Sequence, residues 1–197
     1  MSKALFALPF AAVALIAAAP KPKAAAAPVA PSVVAPAEVA ASPANKLSLE
    51  LSNGGTVVIQ MRPDVAPRHV ERVQSLVRQG FYDGLAFHRV IPGFMAQGGD
   101  PAGTGEGGSS LPDLQAEFTS LPFLRGTVAA ARTDDPNSAN SQFFIMFGPR
   151  GMPADYTIWG RVTSGMGAVD TIAPGEPPAE PTKIVRAYLG DAATAAR

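Results

Sequence analysis

Residues 87–100 read Phe87-His88-Arg89-Val90-Ile91-Pro92-Gly93-Phe94-Met95-Ala96-Gln97-Gly98-Gly99-Asp100, which sets one fixed cation among apolar, β-prone residues with a glycine pair behind it. From Ala86 to Ile91 the β-branched and aromatic residues predict a strand. Pro92-Gly93 supplies a turn, and Phe94 to Gln97 restarts an extended segment. A hairpin this short brings Arg89, Phe94, Met95 and Gln97 close together. Alternation along the returning strand sets Met95 and Gln97 on one face and turns Phe94 to the other, unless the strand twists or bulges.

Outward from this hairpin the chain keeps the same character. Upstream, Lys46 to Leu51 and Thr56 to Met61 flank a turn at Asn53-Gly54-Gly55, which predicts a second hairpin. Pro67 suits a first helical position, and Val70, Val73, Leu76 and Val77 recur at helical spacing until Gly80, so a helix is expected over Pro67 to Gln79. Downstream, strands are expected at Thr127 to Ala131, Phe143 to Met146, Tyr156 to Val162 and Lys183 to Leu189, with a short second helix near Met166 to Ile172. Many short strands, glycine turns and two helices predict a mainly β fold, an antiparallel barrel.

The chain has 197 residues, 47% hydrophobic and 16% charged, which suits one domain with a sizeable core. Sixteen Lys and Arg balance sixteen Asp and Glu. A net charge of zero gives no electrostatic case for nucleic acid or an anionic surface, and points to neutral segments of polypeptide as partners. The lack of cysteine excludes a disulfide framework, thiolate catalysis, a cysteine-ligated metal and lipid attachment at an N-terminal cysteine.

Residues 1–19 carry Lys3 and then an Ala/Leu/Phe/Val run broken only by Pro9, the pattern of a secretory signal peptide. A bilayer span takes about 20 consecutive apolar residues, so a permanent membrane anchor is the weaker reading. The cleavage site is open, because Pro20 follows the first Ala-rich stretch and a second lies at 24–27. Residues 20–45 are almost wholly Ala, Pro, Val and Ser without a helical or alternating period, and read as a disordered linker. The folded domain is expected over 46–190, with 191–197 as a C-terminal tail. Export to a bacterial periplasm follows, with membrane tethering if the signal is retained.

In this order the 87–100 run, the Pro67 to Gln79 helix, the Gly103-Thr104-Gly105 loop, Gly126 to Ala131, Asn140-Ser141-Gln142-Phe143-Phe144-Ile145 and Tyr156 to Val162 resemble the cyclophilin-type peptidyl-prolyl cis-trans isomerases. The resemblance covers Leu47 to Leu189. It implies a closed eight-stranded antiparallel β-barrel capped by two α-helices. It also implies a non-covalent, cofactor-free enzyme that accelerates rotation about X-Pro bonds in unfolded or flexible polypeptides and so assists folding. A monomer without stable membrane insertion after processing is expected.

Rotation about a peptide bond meets a barrier of about 18–20 kcal/mol, because the nitrogen lone pair is delocalised into the carbonyl. A catalyst need only weaken that conjugation. A guanidinium donor near the prolyl nitrogen favours its pyramidal form while an apolar pocket grips the ring. By resemblance Arg89 is the catalytic arginine, and its always-charged fork suits a donor that exchanges no proton. The plainer reading of Arg89 is a strand arginine paired with a nearby carboxylate. Gln97 and Gln142 resemble the glutamines that orient the arginine and bind substrate backbone; otherwise they are ordinary barrel polar groups.

Phe94, Met95, Phe144 and Met152 correspond to the family's proline pocket, although each taken singly is more often plain core. Met152 stands where leucine is usual. Ala131 matches a small residue that lets substrate main chain approach, but Arg132 follows where many members have asparagine. Tyr156 falls where many eukaryotic members have histidine and keeps an aromatic wall with a polar tip. Gly151 aligns with the tryptophan that many members use to bind cyclosporin, which implies weak inhibition. Trp159, in Ile158-Trp159-Gly160, reads as strand core.

Gly103-Thr104-Gly105-Glu106-Gly107-Gly108 fits a dinucleotide fingerprint letter by letter. No strand-helix unit follows, however, and Ser109-Ser110-Leu111-Pro112 argues against a helix N-terminus for a pyrophosphate. His69, His88 and Asp100 lack metal-ligand spacing, and Ser141 lacks the partners of an acyl-transfer nucleophile. The chief rival is a non-catalytic proline-peptide binding chaperone or scaffold module on the same fold. A buried cation at Arg89, which binding alone does not need, favours catalysis.

Overall fold

A computed structural model describes residues 32–190. The signal expected at 1–19, its alternative end at 27, the first part of the linker and the tail at 191–197 lie outside the described residues.

The linker's last part departs from the expectation of disorder. Ala37–Ala41 form a short helix, α1, followed by a 3-10 turn at Pro43–Asn45, and Val39 is only 9% exposed. The cause is tertiary. Gln60 Nε2 donates to the carbonyls of Val39 (3.3 Å) and Asn45 (3.1 Å), and Arg62 Nη1 donates to Ser32 O (2.9 Å). A segment with no amphipathic period of its own is ordered by donors from the strand beneath it.

β1 (Lys46–Leu51) and β2 (Thr56–Met61) pair antiparallel around a turn whose Gly54 has φ +86°, a left-handed conformation suited to glycine. Alternation buries Leu47, Leu49, Leu51, Val57, Ile59 and Met61 on one side. α2 (Pro67–Arg78) carries the expected stripe of Val70, Val73, Leu76 and Val77 into the core and packs on the sheet.

β3 (Phe87–Ile91) and β4 (Met95–Gly98) form the central hairpin, followed by β5 (Thr127–Ala130), β6 (Phe143–Met146) and β7 (Ile158–Ser164). A short helix α3 (Met166–Asp170) lies beside the β1–β2 turn, where Asn53 Nδ2 donates to Ala168 O at 2.9 Å, and β8 (Ile184–Leu189) completes the sheet. The order is β3-β4-β6-β5-β7-β2-β1-β8, antiparallel throughout. The sheet curls until its ends meet just outside the regular runs. Phe87 N donates to Thr182 O (2.9 Å) and Ile184 N to Leu85 O (2.8 Å).

Two apolar cores result. Ala96, Val128, Phe143, Ile145 and Trp159 fill the barrel interior, where Trp159 is core as expected. On the outer face of β4, β5 and β6 lies a second cluster of Met95, Ala129, Phe144, Met146 and Ile158, covered by Leu121 and Phe123 from the loop before β5. Buried on both faces, β5 and β6 read as continuous apolar runs rather than alternating ones. The site grows at the edge of this outer cluster.

Candidate active site

The register of β3 against β4 opposes Arg89 to Gln97 and Ile91 to Met95, with an irregularity between Phe87 and Arg89. β6 then sets Phe144 opposite Gln97 and Met146 opposite Met95. Period-two alternation therefore puts Arg89, Met95, Gln97 and Phe144 on one outer face. Phe94 escapes the alternation that would turn it away, because it belongs to the turn before β4. Its N–H donates to Ile91 O (3.0 Å), and its carbonyl accepts from Phe147 N (2.9 Å).

Arg89, Phe94, Met95, Gln97, Ala131, Arg132, Phe144, Met152 and Tyr156 line one hollow of about 220 Å³. The aromatic wall is braced from behind: Phe144 and Tyr156 meet edge to face at 5.6 Å, and Phe123 stacks on Phe144 at 6.3 Å. Arg132 curls back, its guanidinium 4.6 Å over the Tyr156 ring and its Nη2 2.9 Å from Asp155 Oδ2. Arg150 lies 4.4 Å over the Phe94 ring.

Gln142, also expected at the site, stands one step back from the hollow. Gln97 Nε2 donates to Gln142 Oε1 at 2.8 Å, and Gln142 Nε2 donates to the carbonyls of Gly105 (2.9 Å) and Gly107 (2.7 Å). The glycine-rich loop is itself folded around Asp100, whose carboxylate accepts from the N–H groups of Ala102 (2.9 Å), Thr104 (2.9 Å) and Gly105 (2.7 Å). Burial raises the Asp100 carboxyl, but these backbone donors outweigh it and hold the group below the usual carboxylate value. A loop wrapped on a carboxylate in this way has its N–H groups turned inward. That agrees with rejecting the pyrophosphate reading.

Arg89 differs from the expectation of a buried cation: its side chain is 43% exposed and its Nε lies 2.7 Å from Glu176 Oε2. The carboxylate pairing weighed against catalysis is thus present together with the hollow, which Arg89 still lines. On its other side Nη1 faces Gln97 Oε1 at 3.5 Å. Sequence reading missed Glu176, Phe123 and the Arg132–Tyr156 contact. Glu176 is 87 residues from Arg89, and no local spacing links the two.

A family model for cyclophilin-type peptidyl-prolyl cis-trans isomerases matches residues 46–189. The chain belongs to this family. A curated relative from Brucella suis biovar 1, named "Probable peptidyl-prolyl cis-trans isomerase", is 50% identical over 168 residues, covering 76% of this chain and 85% of that protein. The human peptidyl-prolyl cis-trans isomerase-like 1 is 36% identical, covering 68% of this chain and 86% of its own. Among solved structures, cyclophilin AquaCyp293 from Hirschia baltica superposes with a TM-score of 0.68 at 31% identity, over 75% of this chain and 74% of that one. A Cryptosporidium parvum cyclophilin crystallised in the presence of the dipeptide Ala-Pro gives a TM-score of 0.68 at 25% identity, over 74% and 99% of the two chains.

The protein is accordingly a peptidyl-prolyl cis-trans isomerase, and the non-catalytic binding module is not favoured. In this cyclophilin the position before Met152 is uncrowded: a Cβ added at Gly151 would meet nothing within 4 Å.

Proposed function

We propose that the hollow bounded by Arg89 is where this cyclophilin isomerises X-Pro bonds. The supporting observation is that Arg89 and the apolar set Phe94, Met95, Phe144, Met152 and Tyr156 line a single concavity, while the other arginine there, Arg132, is turned to Asp155 and the Tyr156 ring. The proline ring packs among the apolar side chains. The Arg89 guanidinium donates towards the prolyl nitrogen and stabilises its pyramidal, localised form, so conjugation to the carbonyl weakens. Gln97 and Ala131 border the path of the substrate main chain, and Gln142 holds Gln97. No covalent bond forms, so the carbonyl of the preceding residue swings freely between its two positions. Each tenfold in rate is about 1.4 kcal/mol, and a charged hydrogen bond made only in the twisted state, together with oriented binding, supplies several such steps.

The substrates proposed are neutral, proline-containing unfolded or flexible segments. Export is part of the same reading, supported by Lys3 and the apolar run to Ala19. So is a monomeric state, supported by the bridging of β3 to β8, which leaves no long open edge among the described residues for pairing with a second copy. The test is Arg89→Ala assayed on a short X-Pro peptide by magnetisation exchange. Turnover falls by about two orders of magnitude or more while peptide binding persists. Near-full activity in that variant overturns the role of Arg89.

A further inference from the structure

The carboxylate on Arg89 is carried by a segment built to hold still. Gly175 and Val90 exchange main-chain hydrogen bonds in both directions, Val90 N to Gly175 O at 2.8 Å and Gly175 N to Val90 O at 3.0 Å. The bridge is antiparallel, so Glu176, the residue after Gly175, is set opposite Arg89, the residue before Val90. Gly175 has φ +143°, and a Cβ there would come within 2.6 Å of Pro178 Cα, so the loop takes this course only with glycine. Pro177 and Pro178 restrict the backbone immediately after.

The atom that Glu176 engages is informative. Nε is the guanidinium nitrogen nearest the aliphatic stem, and a 2.7 Å bond there fixes the rotation of the planar group while leaving the Nη edge for other partners. Gln97 meets that edge from β4. The group is therefore held from two sides, by a strand partner and by a loop partner. An exposed pair, 43% and 52% accessible, adds little to folding stability. Direction is what it supplies.

We propose that Glu176 is a positioning residue for the isomerase reaction: through Nε it sets the plane of the Arg89 guanidinium at the hollow so that the Nη edge meets the prolyl nitrogen. The proposal rests on Arg89 being the catalytic cation. Glu176 touches no substrate and acts only through the arginine.

The full chain is assayed by magnetisation exchange on a neutral X-Pro peptide, with Glu176→Ala and Glu176→Gln made in the wild-type and Arg89→Lys backgrounds. Glu176→Ala lowers kcat about tenfold with KM and the melting temperature nearly unchanged. Glu176→Gln, which keeps an acceptor oxygen, loses less. In the Arg89→Lys background, where no Nε exists, Glu176→Ala has no further effect. The Arg89 Nε–Hε resonance in the free enzyme shifts and exchanges faster with solvent in Glu176→Ala. An unchanged kcat in Glu176→Ala, an equal loss in the lysine background or an unmoved Hε resonance overturns the proposal. If Arg89→Ala is inactive and Glu176→Ala is not impaired, this proposal alone fails. If Arg89→Ala is active, the underlying reading fails.

Discussion

Gln97 donates its amide nitrogen to the Gln142 carbonyl oxygen across 2.8 Å, and that one bond decides which end of Gln97 faces Arg89. Gln142 has no freedom to flip, because its own nitrogen serves the carbonyls of Gly105 and Gly107. The loop thus sets Gln142, Gln142 sets Gln97, and the Gln97 oxygen is turned to Arg89 Nη1. We predict that Gln97→Ala lowers kcat/KM about ten- to a hundredfold and Gln142→Ala about threefold to tenfold, with the fold intact. The double variant loses less than the product of the two, since the bonds act in series. Independent, fully multiplicative losses in a steady-state isomerisation assay contradict this chain.

Asp100 is the root of the same chain. Its carboxylate is 1% exposed as a residue and gathers the N–H groups of Ala102, Thr104 and Gly105. Asp100→Leu leaves those donors facing an apolar group and costs about 2–4 kcal/mol of stability. The sign with pH follows from its depressed folded value. The contribution is complete above the ordinary value of 3.8 and disappears as pH falls through the lower folded one. Wild-type stability thus loses this share only in strong acid, and the destabilisation caused by Asp100→Leu shrinks there. Urea titrations at pH 7 and pH 3 measure both.

Hairpin, helix and pocket were legible where contacts are local. Arg89 and Gln97 are eight residues apart, so one tight turn defines their meeting, and the valine and leucine stripe of α2 needs only a helical period. Strict alternation turns Phe94 away from the pocket that the resemblance gives it, and the turn it occupies resolves the conflict. Strand ends were less clear. Tyr156 was assigned to a strand that begins at Ile158, because an aromatic residue has the same propensity whether it enters the ladder or walls a hollow before it. Glu176, Phe123 and the helix at Ala37–Ala41 were invisible for one reason. Each owes its place to partners many positions away, Arg89, Phe144 and Gln60, and none has a periodic pattern of its own.

α2 offers a second long-range dependence. Ala66 at its N-cap has no side-chain acceptor, and Glu117 supplies one, taking the N–H groups of Arg68 and His69 at 3.1 Å each and lying 2.7 Å from His69 Nδ1. Glu117→Ala is expected to cost about 1–2 kcal/mol, the range of a lost cap near a helix N-terminus. Burial holds the His69 imidazole below its usual value, opposed by Glu117. Its neutral state in the fold therefore contributes stability that is complete above the ordinary 6.5 and declines as pH falls towards the lowered value. Removing Glu117 removes the opposing group and depresses His69 further, so the destabilisation grows as pH falls below 6.5 and through the lowered value of the wild type. A constant difference in chemical unfolding from pH 7.5 down through the wild-type His69 titration counts against the coupling.

Gly151 sets the last prediction. By resemblance it stands where many cyclophilins have the tryptophan that binds cyclosporin, and nothing lies within 4 Å of a Cβ added there. The wild-type enzyme is therefore expected to isomerise X-Pro peptides while binding the macrocycle weakly. Gly151→Trp meets no obstacle at its Cβ, since nothing lies within 4 Å of one added there and the backbone is not left-handed. An aromatic ring there contributes apolar contact area that the macrocycle covers. At about 25 cal/mol per Å², burying roughly 60–100 Å² more is worth about 1.5–2.5 kcal/mol, a ten- to seventyfold gain in affinity. Catalysis should change little, because Gly151 is absent from the hollow that holds Arg89 and the proline pocket. Inhibition titrations on the two proteins decide the matter: tight inhibition of the wild type, or no gain in Gly151→Trp, removes this position from the account of drug sensitivity.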